Sequence, residues 1–171
     1  NSGIGKIAAI ELAKKGASLV LACRPGDKTE VALAEINAVA TQEAINLPVD
    51  LACLESVRNL AREFLARYDA LDVLINNAGV FPSRKKLTED GFEMQIGVNH
   101  LSHFLLTELL IDVLKSTASS RVVTVSSMLH KKGEMDFASF RGEKKYSSQK
   151  AYAQSKLANV LFSMELAKRL A

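Results

Sequence analysis

Cysteine is scarce in this sequence: it occurs twice, at Cys23 and Cys53. Both sit in apolar or helix-adjacent surroundings without metal-ligand spacing. That argues for buried thiols in a reducing compartment, cytoplasmic or membrane-attached and facing the cytosol, and against a disulfide framework. Histidine is scarce too, and His100, His103 and His130 make no convincing metal set. No apolar run reaches transmembrane length and no leader peptide is visible, so any membrane association would have to come from parts outside these residues. Charge of one sign is also lacking. The formal net charge is +3, too small to argue for nucleic acid. The basic groups Arg84-Lys85-Lys86, Lys131-Lys132 and Lys144-Lys145 are dispersed, as solvated loops would be. Internal repeats and low-complexity tracts are absent. What remains is an ordinary globular composition over 171 residues, enough for one domain, 1–171, with a real core.

Taken in order, short apolar runs alternate with longer amphipathic ones. A helix is expected from about Lys6 to Lys15, with Gly16 as its stop. Strands are expected at Ser18–Cys23, Ala44–Val49, Leu71–Ile75 and Arg121–Val125. Further helices are expected at about Lys28–Val39, Leu54–Tyr68 and Glu89–Lys115, the last interrupted near Gly97. A polar stretch from Met128 to Gln149 precedes a C-terminal helix. Strands alternating with helices predict an α/β fold: a doubly wound parallel sheet in three α/β/α layers. The nearly continuous apolar strands suit a sheet covered on both faces. A fold of this kind has six strands and carries its glycine-rich turn after the first. With four strands, and an opening at Asn1-Ser2-Gly3-Ile4-Gly5, the chain reads as a slice lacking the first strand and the C-terminal strands.

The chemistry centres on Tyr152 and Lys156, four apart and so on one face of a helix. A lysine charge about 4 Å from a phenol, at an effective dielectric near 20, is worth roughly 4 kcal/mol. That is about three pKa units, enough to bring a phenol into range for general acid–base catalysis. Tyr and Lys at this spacing also occur on ordinary amphipathic helices, so the pair needs support from elsewhere. The Gly3-Ile4-Gly5 turn could cradle a pyrophosphate at a helix N-terminus, or be a plain helix start. Arg24 lies just past the first visible strand, where an acid would bind a ribose 2′-OH and an arginine a 2′-phosphate; no acid stands there, which favours NADP over NAD. Asn76-Asn77-Ala78-Gly79 and Ser126-Ser127 end strands at the edge where open α/β sheets bind ligands, although both are also turn formers. Asn99 has no local reason to stand in a helical region.

Together, Ser2-Gly-Ile-Gly5, Asn76-Asn-Ala-Gly79, Asn99, Ser127 and Tyr152-x-x-x-Lys156 resemble, in order, the signatures of the short-chain dehydrogenase/reductase family. Ala22-Cys-Arg24, Val98-Asn-His-Leu-Ser-His-Phe104 and Ser155-Lys-Leu-Ala-Asn-Val-Leu-Phe162 look more narrowly like its retinol dehydrogenase branch. The resemblance implies a Rossmann fold and NADP-dependent interconversion of an alcohol and a carbonyl on an apolar small molecule. Tyr152 would carry the proton. Lys156 would tune the phenol and bind the nicotinamide ribose. Ser127, preferred to Ser126 by the branch register, would hydrogen-bond the substrate oxygen, and Asn99 would support a proton relay past Lys156. Ser2, Gly3, Ile4 and Gly5 would hold the phosphates, Arg24 the 2′-phosphate, and Asp50 with Leu51 the adenine. Asn77, Ala78 and Gly79 would line the cofactor. Homo-oligomers are compatible with this reading. Its rivals are an NADP(H)-binding sensor or scaffold without turnover, and a protochlorophyllide-type reductase of a ring double bond.

Overall fold

The structure, a computed structural model, describes residues 1–170. Helix α1 (Gly3–Lys14) opens the chain. Gly16, in the left-handed region at φ 86°, stops it, and the Ala17 N–H closes back on the Leu12 carbonyl at 3.1 Å. That is the C-terminal device expected of a glycine. Next come strand β1 (Val20–Cys23), helix α2 (Asp27–Asn37), strand β2 (Ile45–Pro48), helix α3 (Leu54–Arg67) and strand β3 (Val73–Asn76). The long helical region is divided. It runs as α4 (Met94–Ile96), a π-helical turn (Gly97–Leu101), α5 (Ser102–Leu109) and α6 (Ile111–Ser116). Strand β4 (Arg121–Thr124), two 3-10 turns (Met128–Lys132 and Phe137–Ser139) and α7 (Ser148–Leu170) complete the order.

The strands pair in parallel, β1 with β2 from Val20↔Ile45 to Cys23↔Pro48, and β3 with β4 from Val73↔Arg121 to Asn76↔Thr124. The strands form two two-stranded sheets, with no ladder joining them among the described residues. They still lie on a common layer. Val20 and Ile45 of one pair, and Leu74 and Val122 of the other, pack on one core built from Val57, Leu60 and Phe64 of α3 and Leu106 of α5. The alternate strand positions point the other way, because side chains on a strand have a period of two. In β1 that sends Leu21 into a second core with Ala13 of α1 and Ile36 of α2.

Coverage of both faces holds for the first pair only. On the second pair, Val73, Ile75 and Val123 stand 40 to 46% exposed, opposite Leu74 and Val122. The continuous apolar runs at β3 and β4 thus have a helix layer on one side. Cys23 and Cys53, expected to be buried, are half-buried free thiols.

The helical region starts later than its periodicity suggested, at Met94 instead of Glu89. Gly91 adopts φ 77°, Leu87 bridges Glu93, and the Glu93 carboxylate then caps the helix. It accepts the N–H groups of Gln95 and Ile96, both at 3.0 Å. Burial pushes the Glu93 carboxyl above its ordinary range, against the pull of those two bonds. The interruption expected near Gly97 is the π turn, in which the Ser102 N–H reaches the Gly97 carbonyl. Such a turn inserts an extra residue into the helical ladder and rotates the downstream helix.

Candidate active site

Tyr152 and Lys156 lie one turn apart on α7, and the Lys156 Nζ stands 5.6 Å from the centre of the Tyr152 ring. Lys156 is 3% exposed. Burying an ammonium is costly unless its donors are satisfied; here Nζ donates to the Val125 carbonyl at the end of β4, at 3.1 Å. Burial also pushes the Lys156 ammonium below its ordinary range. The Tyr152 ring is half-buried, with Phe81 edge-on against it at 4.9 Å between centroids.

The two serines after β4 have different duties. The Ser126 hydroxyl donates to the Lys156 carbonyl at 2.8 Å and is spent in tying β4 to α7. The Ser127 Oγ accepts the Leu129 N–H at 3.3 Å, which leaves its own hydrogen available. Of the two, Ser127 presents the free donor. His130 steadies it from behind, its Nδ1 donating to the Ser127 carbonyl at 2.6 Å.

Asn99 is fully buried inside the π turn, so an exposed polar residue is excluded. Its Oδ1 accepts the Val80 N–H at 2.7 Å, and its Nδ2 donates to the Val80 carbonyl and to Ser155 Oγ, both at 3.1 Å. Both amide hydrogens are thus used. Asn99 clamps the loop after β3 to α7, and Ser155 carries the chain of bonds on to the Tyr152 carbonyl at 2.8 Å. No bond joins Asn99 to the Lys156 ammonium among the described residues. The Asn99 carbonyl accepts the Asn159 amide at 3.0 Å and His103 Nδ1 at 3.1 Å. Asn159, Val80, Val125 and His130 are parts of this centre that sequence reasoning did not single out. For Asn159 a signal was present: it lies three residues past Lys156 on the same helix face.

The remaining candidates gather where α1 begins. Ser2 is its N-cap but makes no side-chain capping bond, and no acid stands in the first turn. Gly3 sits at φ 54° with open space where a Cβ would be, and Ile4 is exposed. A Cβ on Gly5 would come within 2.5 Å of Asn77 Nδ2, so the glycine permits the close approach of α1 to the loop after β3. The result is an uncapped helix N-terminus with free N–H groups, open backbone and no competing carboxylate. This fits the phosphates of a dinucleotide. Ala78 and Gly79 are exposed beside it, and a Cβ on Gly79 would meet Asn99 Oδ1 at 3.4 Å and Lys156 Nζ at 3.6 Å. Arg24 is exposed just past β1, its guanidinium without an ion-pair partner among the described residues. Asp50 is half-buried after β2, its carboxylate accepting the Ala52 N–H at 2.9 Å. The Leu51 side chain packs into the core, so only its backbone is available to a ligand. Among the described residues, no three His, Cys, Asp or Glu side chains are grouped to hold a metal ion, and no helix is long and apolar enough to cross a membrane.

A parallel α/β fold with this glycine turn, strand-end asparagines and helical Tyr–Lys pair is the pattern of the short chain dehydrogenases. The model of that family matches residues 1–171, and the chain belongs to it. Retinol dehydrogenase 11 of Mus musculus is 52% identical over 171 residues, covering 99% of this chain and 54% of its own. Retinol dehydrogenase 13 of Homo sapiens is 48% identical over 172 residues, covering 99% and 52%. The chain thus spans about half the length of the curated relatives it matches. Among solved structures, a protein of Mycobacterium paratuberculosis superposes with a TM-score of 0.86 at 44% identity, covering 99% of this chain and 59% of its own.

Proposed function

We propose that residues 1–171 form a single dinucleotide-binding and catalytic domain of an NADP-dependent oxidoreductase that interconverts an alcohol and a carbonyl. The observation that carries this is the buried Lys156 ammonium, anchored on the Val125 carbonyl and set beside the Tyr152 ring. The pair places a phenol hydroxyl and an ammonium side by side at the strand edge, where the phenol can serve as general acid or base toward a bound oxygen. When bound, the nicotinamide supplies or accepts the hydride at the carbon. The chain's own residues handle the oxygen. Tyr152 delivers the proton to it in reduction and removes it in oxidation, and the free Ser127 hydroxyl donates a hydrogen bond to the same atom. Lys156 has donors left beyond the one on Val125, and these would hold the ribose. Asn99 keeps the loop after β3 and α7 in register around the pair.

For the cofactor, the α1 N-terminus with Ser2, Gly3, Ile4 and Gly5 would hold the phosphates. Asn77, Ala78 and Gly79 would border the nicotinamide half, and Asp50 with the Leu51 backbone the adenine. The unpaired Arg24 suits a 2′-phosphate through charge-assisted bonds, which is the reason for preferring NADP to NAD. An apolar substrate is supported by two exposed side chains beside the site: Phe81 against Tyr152, and Met128 next to Ser127. The two relatives named retinol dehydrogenase point to the same class. The test is a panel of retinoid, steroid and aliphatic aldehydes and ketones with the natural full-length protein, each with NADPH and with NADH, read by nicotinamide absorbance. Turnover confined to NADPH and to apolar carbonyls is expected. Cofactor binding without turnover across the panel would refute the reading.

A further inference from the structure

Asn159 is 1% exposed, on the face of α7 that carries Lys156. Its Nδ2 lies 3.0 Å from the Asn99 carbonyl and 3.2 Å from the Val125 carbonyl. Carbonyls only accept, so the NH2 end must face them and both of its hydrogens are spent. The Oδ1 is thereby left to His100 Nδ1 at 3.1 Å, which must then carry the hydrogen. An amide used at every donor holds one orientation. The Val125 carbonyl is also the acceptor for Lys156 Nζ. One oxygen therefore takes both the catalytic ammonium and the amide that locates it. Through its other hydrogen, the same amide ties the end of β4 to the π turn, whose Asn99 side chain reaches Val80 and Ser155.

We propose that Asn159 is a positioning residue for the proton-transfer pair: by holding the Val125 and Asn99 carbonyls together, it sets where the Lys156 ammonium stands relative to Tyr152. Ser127, two residues beyond Val125, is placed by the same clamp. The inference rests on the oxidoreductase reading above. A leucine at 159 would fill a similar volume but supply no donor, leaving both carbonyls a partner short and the β4 end free to shift. A misplacement of about 1 Å costs on the order of 10²-fold in rate.

The experiment compares wild type, Asn159→Leu and Asn159→Ser in the natural full-length protein, using NADPH and the best carbonyl of the panel. The readouts are single-turnover hydride transfer from pH 5.5 to 9.5 and NADPH affinity measured separately. Serine is short enough to admit water to the two carbonyls, so it is read in the same way if the leucine variant is insoluble. Expected are a fall in transfer rate of about tenfold or more, a smaller loss of NADPH affinity because Lys156 is also assigned the ribose, and a pH midpoint displaced by about half a unit or more. A residue that only filled the core would lower stability and leave the midpoint where it was. Transfer in the variants within about twofold of wild type, or with an unmoved midpoint, would overturn this inference alone. Absence of transfer in wild type would overturn the function reading, and this inference with it.

Discussion

Gly133→Ala is the substitution whose outcome the geometry determines most tightly. Gly133 comes just after the 3-10 turn Met128–Lys132 at φ −79° and ψ 146°, values open to any residue, so alanine meets no backbone strain there. The obstacle is α7. A Cβ at Gly133 would lie 2.6 Å from the Ala153 carbonyl oxygen and 2.9 Å from both the Ala153 carbonyl carbon and Leu157 Cβ. Helix backbone cannot swing aside as the tip of a long side chain can. The turn and the helix must separate by roughly 0.8 Å to regain ordinary contact at 3.4 Å. Overpacking of this kind costs about 1–3 kcal/mol. It also acts on the site. Ala153 and Leu157 directly succeed Tyr152 and Lys156, and Ser127 is the N-cap of the displaced turn. A shift approaching 1 Å between the Ser127 hydroxyl and the phenol lowers turnover by up to about 10²-fold, while NADPH affinity, which rests on α1 and Arg24 as well as on Lys156, falls by less. Urea unfolding and single-turnover hydride transfer on the full-length variant measure the two effects. Stability within about 0.5 kcal/mol of wild type, a change usual for an unconstrained surface site, would refute the steric argument whatever the activity.

Tyr152→Phe keeps the ring against Phe81 but removes the proton carrier, so transfer should fall at least about a hundredfold with NADPH still bound; near-wild-type transfer would sink the assignment. Lys156→Ala should impair both binding and transfer, and Lys156→Arg should restore only part, since a guanidinium lacks the compact ammonium's fit. Arg24→Ala should weaken NADPH far more than NADH by calorimetry, and equal losses would remove Arg24 from the 2′-phosphate site. Burial pushes the His103 imidazole from 6.5 down to about 4. The unfolded chain therefore takes up the proton first, so this contribution to stability is whole above about pH 6.5 and declines as the pH falls toward 4. The loss is about 3 kcal/mol at most. In urea titrations between pH 7.5 and 4.5, His103→Gln should lose less stability than wild type, and parallel curves would exclude the coupling.

Much of the order of elements is legible in the residues themselves. Apolar period and turn chemistry act between neighbours a few positions apart, so the four strands, the stop at Gly16 and the break near Gly97 are readable locally. So is the spacing that puts Tyr152 and Lys156 on one helix face. The edges of elements are less so: Glu89 to Glu93 look helical by composition, but the positive φ at Gly91 and the Glu93 cap start the helix at Met94.

Family membership and the residue types of the site were thus determined by the sequence. The tertiary structure decided how the pieces meet. Apolar strands look alike whether one face is covered or two, and nothing local says that Val73, Ile75 and Val123 face outward. Ser126 and Ser127 are the same residue type, and only the Lys156 carbonyl distinguishes the committed hydroxyl from the free one. Asn99 stands out in the sequence, but its work depends on Val80 and Ser155. Gly133 does not stand out, and the work of Asn159 is not readable locally, because what it touches is far along the chain: the two carbonyls it holds lie 60 and 34 positions away. Pattern and propensity describe a residue's neighbours in sequence, whereas the position of a buried ammonium is set by the donors and acceptors that folding brings around it.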